Sequence, residues 1–305
     1  MDQMVKVSVI MLTYNREALV GRAIESILAQ TMEDFEYIIV DNGSTDRSGE
    51  IAEEYAKKDT RIRVLHIPKS NIGTGRNAGL DAAKGEYVTF IDDDDWVESD
   101  FLDFLLTQVV ENDADVSICG AFGKEFDEKK IMTAEEAVLE LFRRKRYNAA
   151  FPTKLFRRDM SDELRFPKDG AFDDIALMYK LLAYANRVVY YGLPKYTFYR
   201  HESNNSAWTT NHSLLNATIL EEYLESYRTR TEWLSERFPE CAGEFRYFEW
   251  SFMISMVEKI NRLNIKGCEQ QLDSMMTALK LNREEFLDSP ELCDFEREWM
   301  EKYIR

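Results

Sequence analysis

Apolar positions follow two rhythms along this chain. Val5-Lys6-Val7-Ser8-Val9-Ile10-Met11-Leu12 is almost continuously apolar, the pattern of a strand covered on both faces. The period then changes, and Val20, Ile24, Ile27 and Leu28 share one face of a helix. Tyr37-Ile38-Ile39-Val40 predicts a second strand, Ser48 to Lys58 a helix and Arg63 to Ile67 a third strand. A further helix, Arg76 to Ala83, begins inside the glycine-rich stretch Asn71 to Gly79. Tyr87-Val88-Thr89-Phe90-Ile91 is rich in β-branched and aromatic residues and predicts a buried fourth strand. Strand and helix alternate, which implies an α/β fold with a doubly wound, mostly parallel sheet.

Later in the chain, Asp115 to Cys119 predicts a strand and Thr133 to Arg146 a helix, opened by the capping box Thr133-x-x-Glu136. Val188 to Tyr191 is another strand, continued by Tyr196 to Arg200 after Pro194. Ser203-Asn204-Asn205-Ser206 has the small polar composition of a linker. From Leu214 to Arg305 the periodicity is only helical, with Phe252, Met256, Ile260 and Leu263 in one stripe. The expected organisation is an α/β domain over 1–205 and an all-helical C-terminal domain over 206–305.

Composition narrows the function. The net charge of −17 argues against a nucleic-acid-binding surface, which is normally basic. Hydrophobic residues make up 45% and charged residues 31%, enough for a buried core in a soluble protein. The four cysteines lie far apart and form no CxxC pair, so they read as reduced thiols in a cytoplasmic protein. Three histidines, none clustered with a cysteine, make zinc a poor candidate. No apolar run approaches the roughly 18 residues of a membrane span, and no targeting segment is expected. The basic run Arg143-Arg144-Lys145-Arg146 has two readings: a solvated helix end complementing the dipole, or a contact for an anionic acceptor or membrane surface.

The chemistry concentrates after the fourth strand, which runs directly into Asp92-Asp93-Asp94-Asp95-Trp96. Four adjacent carboxylates at a strand end repel one another and resist desolvation. A divalent Mg²⁺ or Mn²⁺ would compensate, sharing its coordination with substrate phosphates. Alternatively, the run is an acidic turn capping the next helix. The carboxyl end of a strand in an open α/β sheet is where ligands bind. A dinucleotide fold would place GxGxxG after the first strand, but Thr13-Tyr14-Asn15-Arg16 stands there. Gly73-Thr74-Gly75-Arg76-Asn77-Ala78-Gly79 has the wrong spacing and follows the wrong strand, and Walker A is absent.

Several motifs, in order, resemble the family 2 glycosyltransferases of GT-A fold. They are Val7-Ser8-Val9-Ile10 through Asn15-Arg16, Val40-Asp41-Asn42-Gly43-Ser44-Thr45-Asp46, Asn71-x-Gly73-x-x-Arg76-Asn77-x-Gly79 and Asp92-x-Asp94-Asp95-Trp96. Lys154-Leu155-Phe156-Arg157-Arg158, Phe172-Asp173-Asp174 and Tyr199-Arg200-His201 extend the likeness over the first two thirds of the chain. The resemblance implies a metal-dependent, inverting enzyme that moves a sugar from a UDP-sugar to an acceptor hydroxyl, with Mn²⁺ or Mg²⁺ as cofactor. It assigns Thr13, Tyr14 and Arg16 to the nucleotide loop, Asp41 to the uracil ring, and Gly73, Arg76, Asp92 and Asp93 to the donor. Asp94 would ligate the metal, with His201 as a further metal contact. Asp174 would be the base that takes the acceptor proton. The family usually writes Glu-Asp there; this chain has Asp173-Asp174, so the departure falls on Asp173.

The resemblance further implies a glycan, lipid-linked glycan or glycoprotein acceptor, met in the cytoplasm or at the inner face of the membrane by peripheral association. The helical tail is expected to serve a homo-oligomer or acceptor docking. Two rival readings stand beside this one. A nucleotidyltransferase acting on sugar phosphates also uses paired acids and metal, but it normally carries a glycine-rich basic loop after the first strand. A non-catalytic sugar-nucleotide-binding scaffold would not need Asp174.

Overall fold

The computed structural model describes residues 5–123, 126–162, 164–168, 173–201 and 214–304. The chain divides into two compact units, Met1–Tyr199 and Arg200–Arg305.

In the first unit, β1 (Val7–Thr13), β2 (Phe35–Asp41), β3 (Ile62–His66) and β4 (Tyr87–Asp92) form the parallel part of one sheet, ordered β3-β2-β1-β4. Helices α1 (Val20–Leu28), α2 (Ser48–Ala56) and α3 (Ile72–Ala82) make the crossovers. The runs of β1 and β2 are buried at every position but Leu12 and Glu36, as a sheet covered on both faces requires. Register decides where the site lies: Thr13 pairs with Asp41, and Leu12 with Asp92. The carboxyl ends of β1, β2 and β4 therefore finish at one level.

Helix α3 starts four residues earlier than the periodicity predicts, because Asn71 caps it by accepting the Thr74 amide at 2.8 Å. Its glycines answer to packing. A Cβ on Gly75 would lie 2.3 Å from Leu12 Cδ1, and one on Gly79 would lie 2.4 Å from Ile10 Cγ2. Small residues let this helix sit directly on β1.

Beyond β4 the sheet becomes mixed. A two-residue β5 (Trp96–Val97) is followed by α4 (Phe101–Glu111), β6 (Val116–Ala121), β7 (Lys129–Met132) and α5 (Ala134–Arg143). Then come β8 (Lys154–Arg157), α6 (Asp173–Tyr184) and β9 (Val188–Thr197). Strand β8 is antiparallel to both β4 and β6, β6 is parallel to β9, and β9 pairs antiparallel with β5 and β7. Pro194 does not split β9: the pairing with β6 shifts register between Cys119 and Ala121, and this irregularity admits the proline.

The capping box of α5 is present: the Glu136 amide donates to Thr133 Oγ1 at 3.3 Å, and the Thr133 amide donates to Glu136 Oε2 at 2.9 Å. The helix ends at Arg143, short of the predicted Arg146, with Arg144 in the left-handed region. Arg146 then turns inward to Glu128 and to the buried Glu140. That residue of the basic run is spent on an internal ion network and is not a surface contact.

The second unit is helical: α7 (Ala217–Arg237), α8 (Ala242–Leu263), α9 (Glu269–Leu281), α10 (Arg283–Leu287) and α11 (Asp294–Tyr303). Met256 and Ile260 enter a core shared with Leu220, Trp250, Leu279 and Met300. Phe252 stacks on Tyr223 and Tyr227, while Leu263, at the helix end, is exposed. The apolar stripe is thus covered largely within the tail itself, and burial alone does not require a partner. Among the described residues no helix is long and apolar enough to cross a membrane. The four cysteines are free thiols. The expected linker Ser203–Ser206 lies outside the described residues, as does Phe172.

Candidate active site

The loop after β1 and the loop after β2 are stitched together. Asn15, at φ 52, accepts the Thr45 amide at 2.8 Å, and its own amide donates to Ser44 Oγ at 3.2 Å. The Arg16 amide donates to Ser48 Oγ at 2.7 Å, and the Glu17 amide to Asp46 Oδ2 at 3.0 Å. Burial works against the Asp46 charge, yet the Ser48 and Glu17 hydrogen bonds hold its pKa below the usual range. These ties fix Thr13, Tyr14 and Arg16 beside Asp41.

Asp41 is buried at the end of β2, where it accepts the Ser44 amide at 3.0 Å and faces His66 Nδ1 at 2.9 Å. No motif or spacing in the chain points to that histidine partner. Tyr14 is partly exposed and carries the Lys69 ammonium over its ring, 3.0 Å from the centroid. Lys69, too, was invisible to motif reasoning.

The acidic run is not a solvated turn, because Asp94 and Asp95 are buried and Asp93 and Asp95 are held by different partners. Asp93 accepts the Tyr14 amide at 3.2 Å and lies 3.7 Å from Arg16, tying the run to the nucleotide loop. Burial, with Asp94 adding to it, raises its pKa to about 7 against the opposing pull of Thr13, Arg16 and the Tyr14 amide. Asp95 accepts the Tyr196 hydroxyl at 2.6 Å and the Tyr199 amide at 2.7 Å. Its pKa is also raised, by burial first and then by the Asp92 charge. The Tyr196 hydroxyl in turn accepts the Asp92 amide at 3.2 Å. Asp94 is buried, and its carbonyl accepts from Arg22 at 2.6 Å. The Arg22 guanidinium lies over the neighbouring rings of Trp96 and Tyr199, 4.1 and 4.5 Å from their centroids. Asp92 is the most open of the four, its side chain 42% exposed.

Arg76 joins this run to α6. It is buried beside the rings of Phe90 and Phe166, reaches Asp92 at 3.4 Å and bonds Asp174 directly. Asp174, at the start of α6, thereby stands next to the acidic run although it is 98 residues from Arg76 in sequence. Nothing in the pattern of either segment announces that pair.

Gly73 packs tightly at the start of α3, where a Cβ would meet the Pro167 carbonyl oxygen at 2.2 Å. The close approach that excludes a side chain here is to protein backbone. Lys154 is fully buried, donates to the Ala150 carbonyl at 2.6 Å and to Thr153 Oγ1 at 3.0 Å, and burial pushes its pKa down to about 7. Arg158 donates to the Gly85 carbonyl at 2.7 Å. That motif is therefore structural. His201 is half-buried at the start of the second unit.

The donor set at the end of β4 is all oxygen. Among the described residues, no group of three His, Cys, Asp or Glu side chains forms a cage for a metal. An open pair of carboxylates suits a hard cation that completes its coordination with substrate phosphate and water. Burial is the main cause of the upward shifts of Asp93 and Asp95, with neighbouring carboxylates adding to it, and a Mg²⁺ or Mn²⁺ beside the run would favour the ionised forms.

The family model described as Glycosyl transferase family 2 matches residues 8–172, more than half of the chain. EpsH of Bacillus subtilis (strain 168), assigned as a glycosyltransferase, is 34% identical over 214 residues, covering 65% of this chain and 62% of its own length. The chain thus matches less than two thirds of that relative. The GalNAc(5)-diNAcBac-PP-undecaprenol beta-1,3-glucosyltransferase of Campylobacter jejuni is 30% identical over 208 residues, covering 66% of this chain and 67% of its own length. Among solved structures, S. aureus TarS 1-349 in complex with UDP-GlcNAc superposes with a TM-score of 0.62 at 20% identity. The match covers 97% of this chain and 92% of TarS 1-349, and it shows a shared fold.

Proposed function

This chain belongs to glycosyl transferase family 2, and from that premise we propose that it transfers a sugar from a UDP-sugar to an acceptor hydroxyl, inverting the anomeric centre, in surface polysaccharide or glycoprotein glycan assembly. One observation carries the reading: Arg76 joins Asp92 of the acidic run to Asp174 of α6. Donor-side and acceptor-side carboxylates then converge at the carboxyl end of β4, where open α/β sheets bind ligands. The family relationship supplies the reaction class. The UDP-GlcNAc held by TarS supports the donor class, and the Campylobacter glucosyltransferase supports a glycan acceptor.

In this reading Asp41 accepts from the base ring, and the stitched loop of Thr13, Tyr14 and Arg16 encloses the nucleotide. Asp94 would hold a Mn²⁺ or Mg²⁺, with His201 as a further contact and Asp92 at the donor ribose or the metal's water shell; as a Lewis acid the ion would stabilise charge on the leaving diphosphate. Asp174 takes the proton as the acceptor oxygen attacks the anomeric carbon and the bond to the diphosphate breaks. The Arg76 guanidinium, bonded to Asp174, holds that carboxylate in place.

The test is to incubate the protein with Mn²⁺ and a panel of UDP-sugars without acceptor and to identify the products. Slow release of UDP and free sugar is expected. Release of pyrophosphate would mark a nucleotidyltransferase, and donor binding with no turnover even with acceptor would mark a scaffold.

A further inference from the structure

His66 closes β3 with its ring between two carboxylates. Nδ1 lies 2.9 Å from Asp41 Oδ2, at the end of β2, and Nε2 lies 3.1 Å from Glu53 Oε1, on α2. An ionised carboxylate can only accept, so each ring nitrogen must donate. A neutral imidazole carries one N–H, and only the imidazolium satisfies both partners at once.

Asp41 is held from three directions. Its Oδ1 accepts the Ser44 amide at 3.0 Å, its Oδ2 meets the imidazole, and α2 crowds it so closely that a Cβ on Gly49 would fall 2.5 Å from Oδ2. The same absent Cβ would lie 3.2 Å from the His66 ring, so Gly49 admits both groups. A carboxylate offers about four lone-pair positions. Two are taken, which leaves others for an N–H of a nucleobase.

We propose that His66 is a positioning residue for the nucleotide: as the imidazolium it fixes the Asp41 carboxylate for the base ring, so that donor affinity follows His66 protonation. The proposal rests on the reading of Asp41 as the nucleotide's carboxylate. The charged groups facing the ring are Asp41 from β2 and Glu53 from α2. The Asp41 bond raises the His66 pKa, burial opposes it, and the Glu53 bond raises it further. Above that raised pKa the neutral ring donates to one carboxylate and presents a lone pair to the other, so Asp41 loses its fixed orientation.

Calorimetry of UDP with Mg²⁺ between about pH 5.5 and 8.5, on wild type and His66→Gln, tests this. Glutamine does not titrate and carries its N–H donors on a single nitrogen, so it cannot bridge Asp41 and Glu53 as the imidazolium does, and the ratio of the two affinities isolates the histidine from other titrating groups. Wild type should bind about tenfold more tightly at the acid end, the scale of losing an orienting partner, and the ratio should shrink towards one as pH rises through the His66 pKa. Glu53→Gln, an exposed change, should move that decline to lower pH. Ring-nitrogen NMR, with His66 assigned by its loss in His66→Gln, should show both nitrogens protonated at the acid end and the ring losing its proton above the range of a free histidine. A ring that titrates at or below that range, or an affinity ratio near one throughout, would overturn the proposal. Asp41→Asn separates the two readings. If it binds UDP like wild type, the nucleotide role of Asp41 fails; if it loses UDP while His66→Gln does not, only the His66 role fails.

Discussion

Arg76 on α3 bonds Asp174 at the start of α6, and the same guanidinium reaches Asp92 at the end of β4. One buried cation thus sets the spacing of the two carboxylates that the proposed reaction needs on opposite sides of the transferred sugar. Replacing it tests that link. Arg76→Met leaves two partly exposed carboxylates facing each other and should destabilise the fold by about 1–3 kcal/mol, less than breaking a fully buried pair. Arg76→Lys keeps the charge but lacks the planar fork that reaches both acids. It should fold with a smaller loss of melting temperature and still transfer poorly. Urea unfolding beside an activity assay reads both effects.

In the proposed reading, metal binding at the acidic run and pH depend on one another. Burial raises the Asp93 pKa to about 7 in the folded protein, whereas an unfolded aspartate ionises near 3.8. Between those values the folded state binds the extra proton, so the Asp93 contribution to stability falls as pH rises towards 7. A divalent cation reverses the preference. The rise in melting temperature given by Mn²⁺ or Mg²⁺ with UDP should therefore be larger at pH 8 than at pH 6, and much smaller in EDTA. Equal stabilisation by UDP in EDTA would contradict the metal role.

The glycines of α3 predict a separation of stability from binding. Gly75→Ala puts a Cβ 2.3 Å from Leu12 Cδ1. Overpacking of that kind costs about 1–3 kcal/mol. UDP affinity below the melting transition should stay close to wild type, because the glycine serves helix-on-strand contact. A large loss of UDP affinity with unchanged stability would instead point to a phosphate cradle.

These residues also show which parts of the molecule were legible in the sequence. The parallel half of the sheet was, because a strand buried on both faces must be apolar at every position, as Val7 to Leu12 nearly is. The acidic run was, because four carboxylates in a row after such a strand demand a compensating charge. The Thr133–Glu136 box was, because its donors and acceptors lie three residues apart. What stayed hidden depends on distant register. Arg76 with Asp174, His66 with Asp41, and Arg22 with Trp96 and Tyr199 are each made by segments that neither periodicity nor composition brings together. The antiparallel insertion of β8 between β4 and β6 was hidden for the same reason, since an apolar run does not say which way it runs. The stripe of α8 was read correctly as apolar, but its partner turned out to be largely its own helical unit.

The most direct measurement pairs Asp174→Asn with Asp94→Asn, each followed by calorimetry of UDP with Mn²⁺ and by a transfer assay. Asparagine at 174 keeps the volume but cannot take a proton, so transfer should fall by about 10²–10⁴-fold while UDP affinity changes little. Asparagine at 94 removes a charged ligand, so metal-dependent UDP binding and transfer should weaken together. Near-normal transfer by Asp174→Asn would contradict its role as the base. A loss of UDP binding by Asp174→Asn as severe as that of Asp94→Asn would contradict the division into acceptor and donor sides on which the account stands.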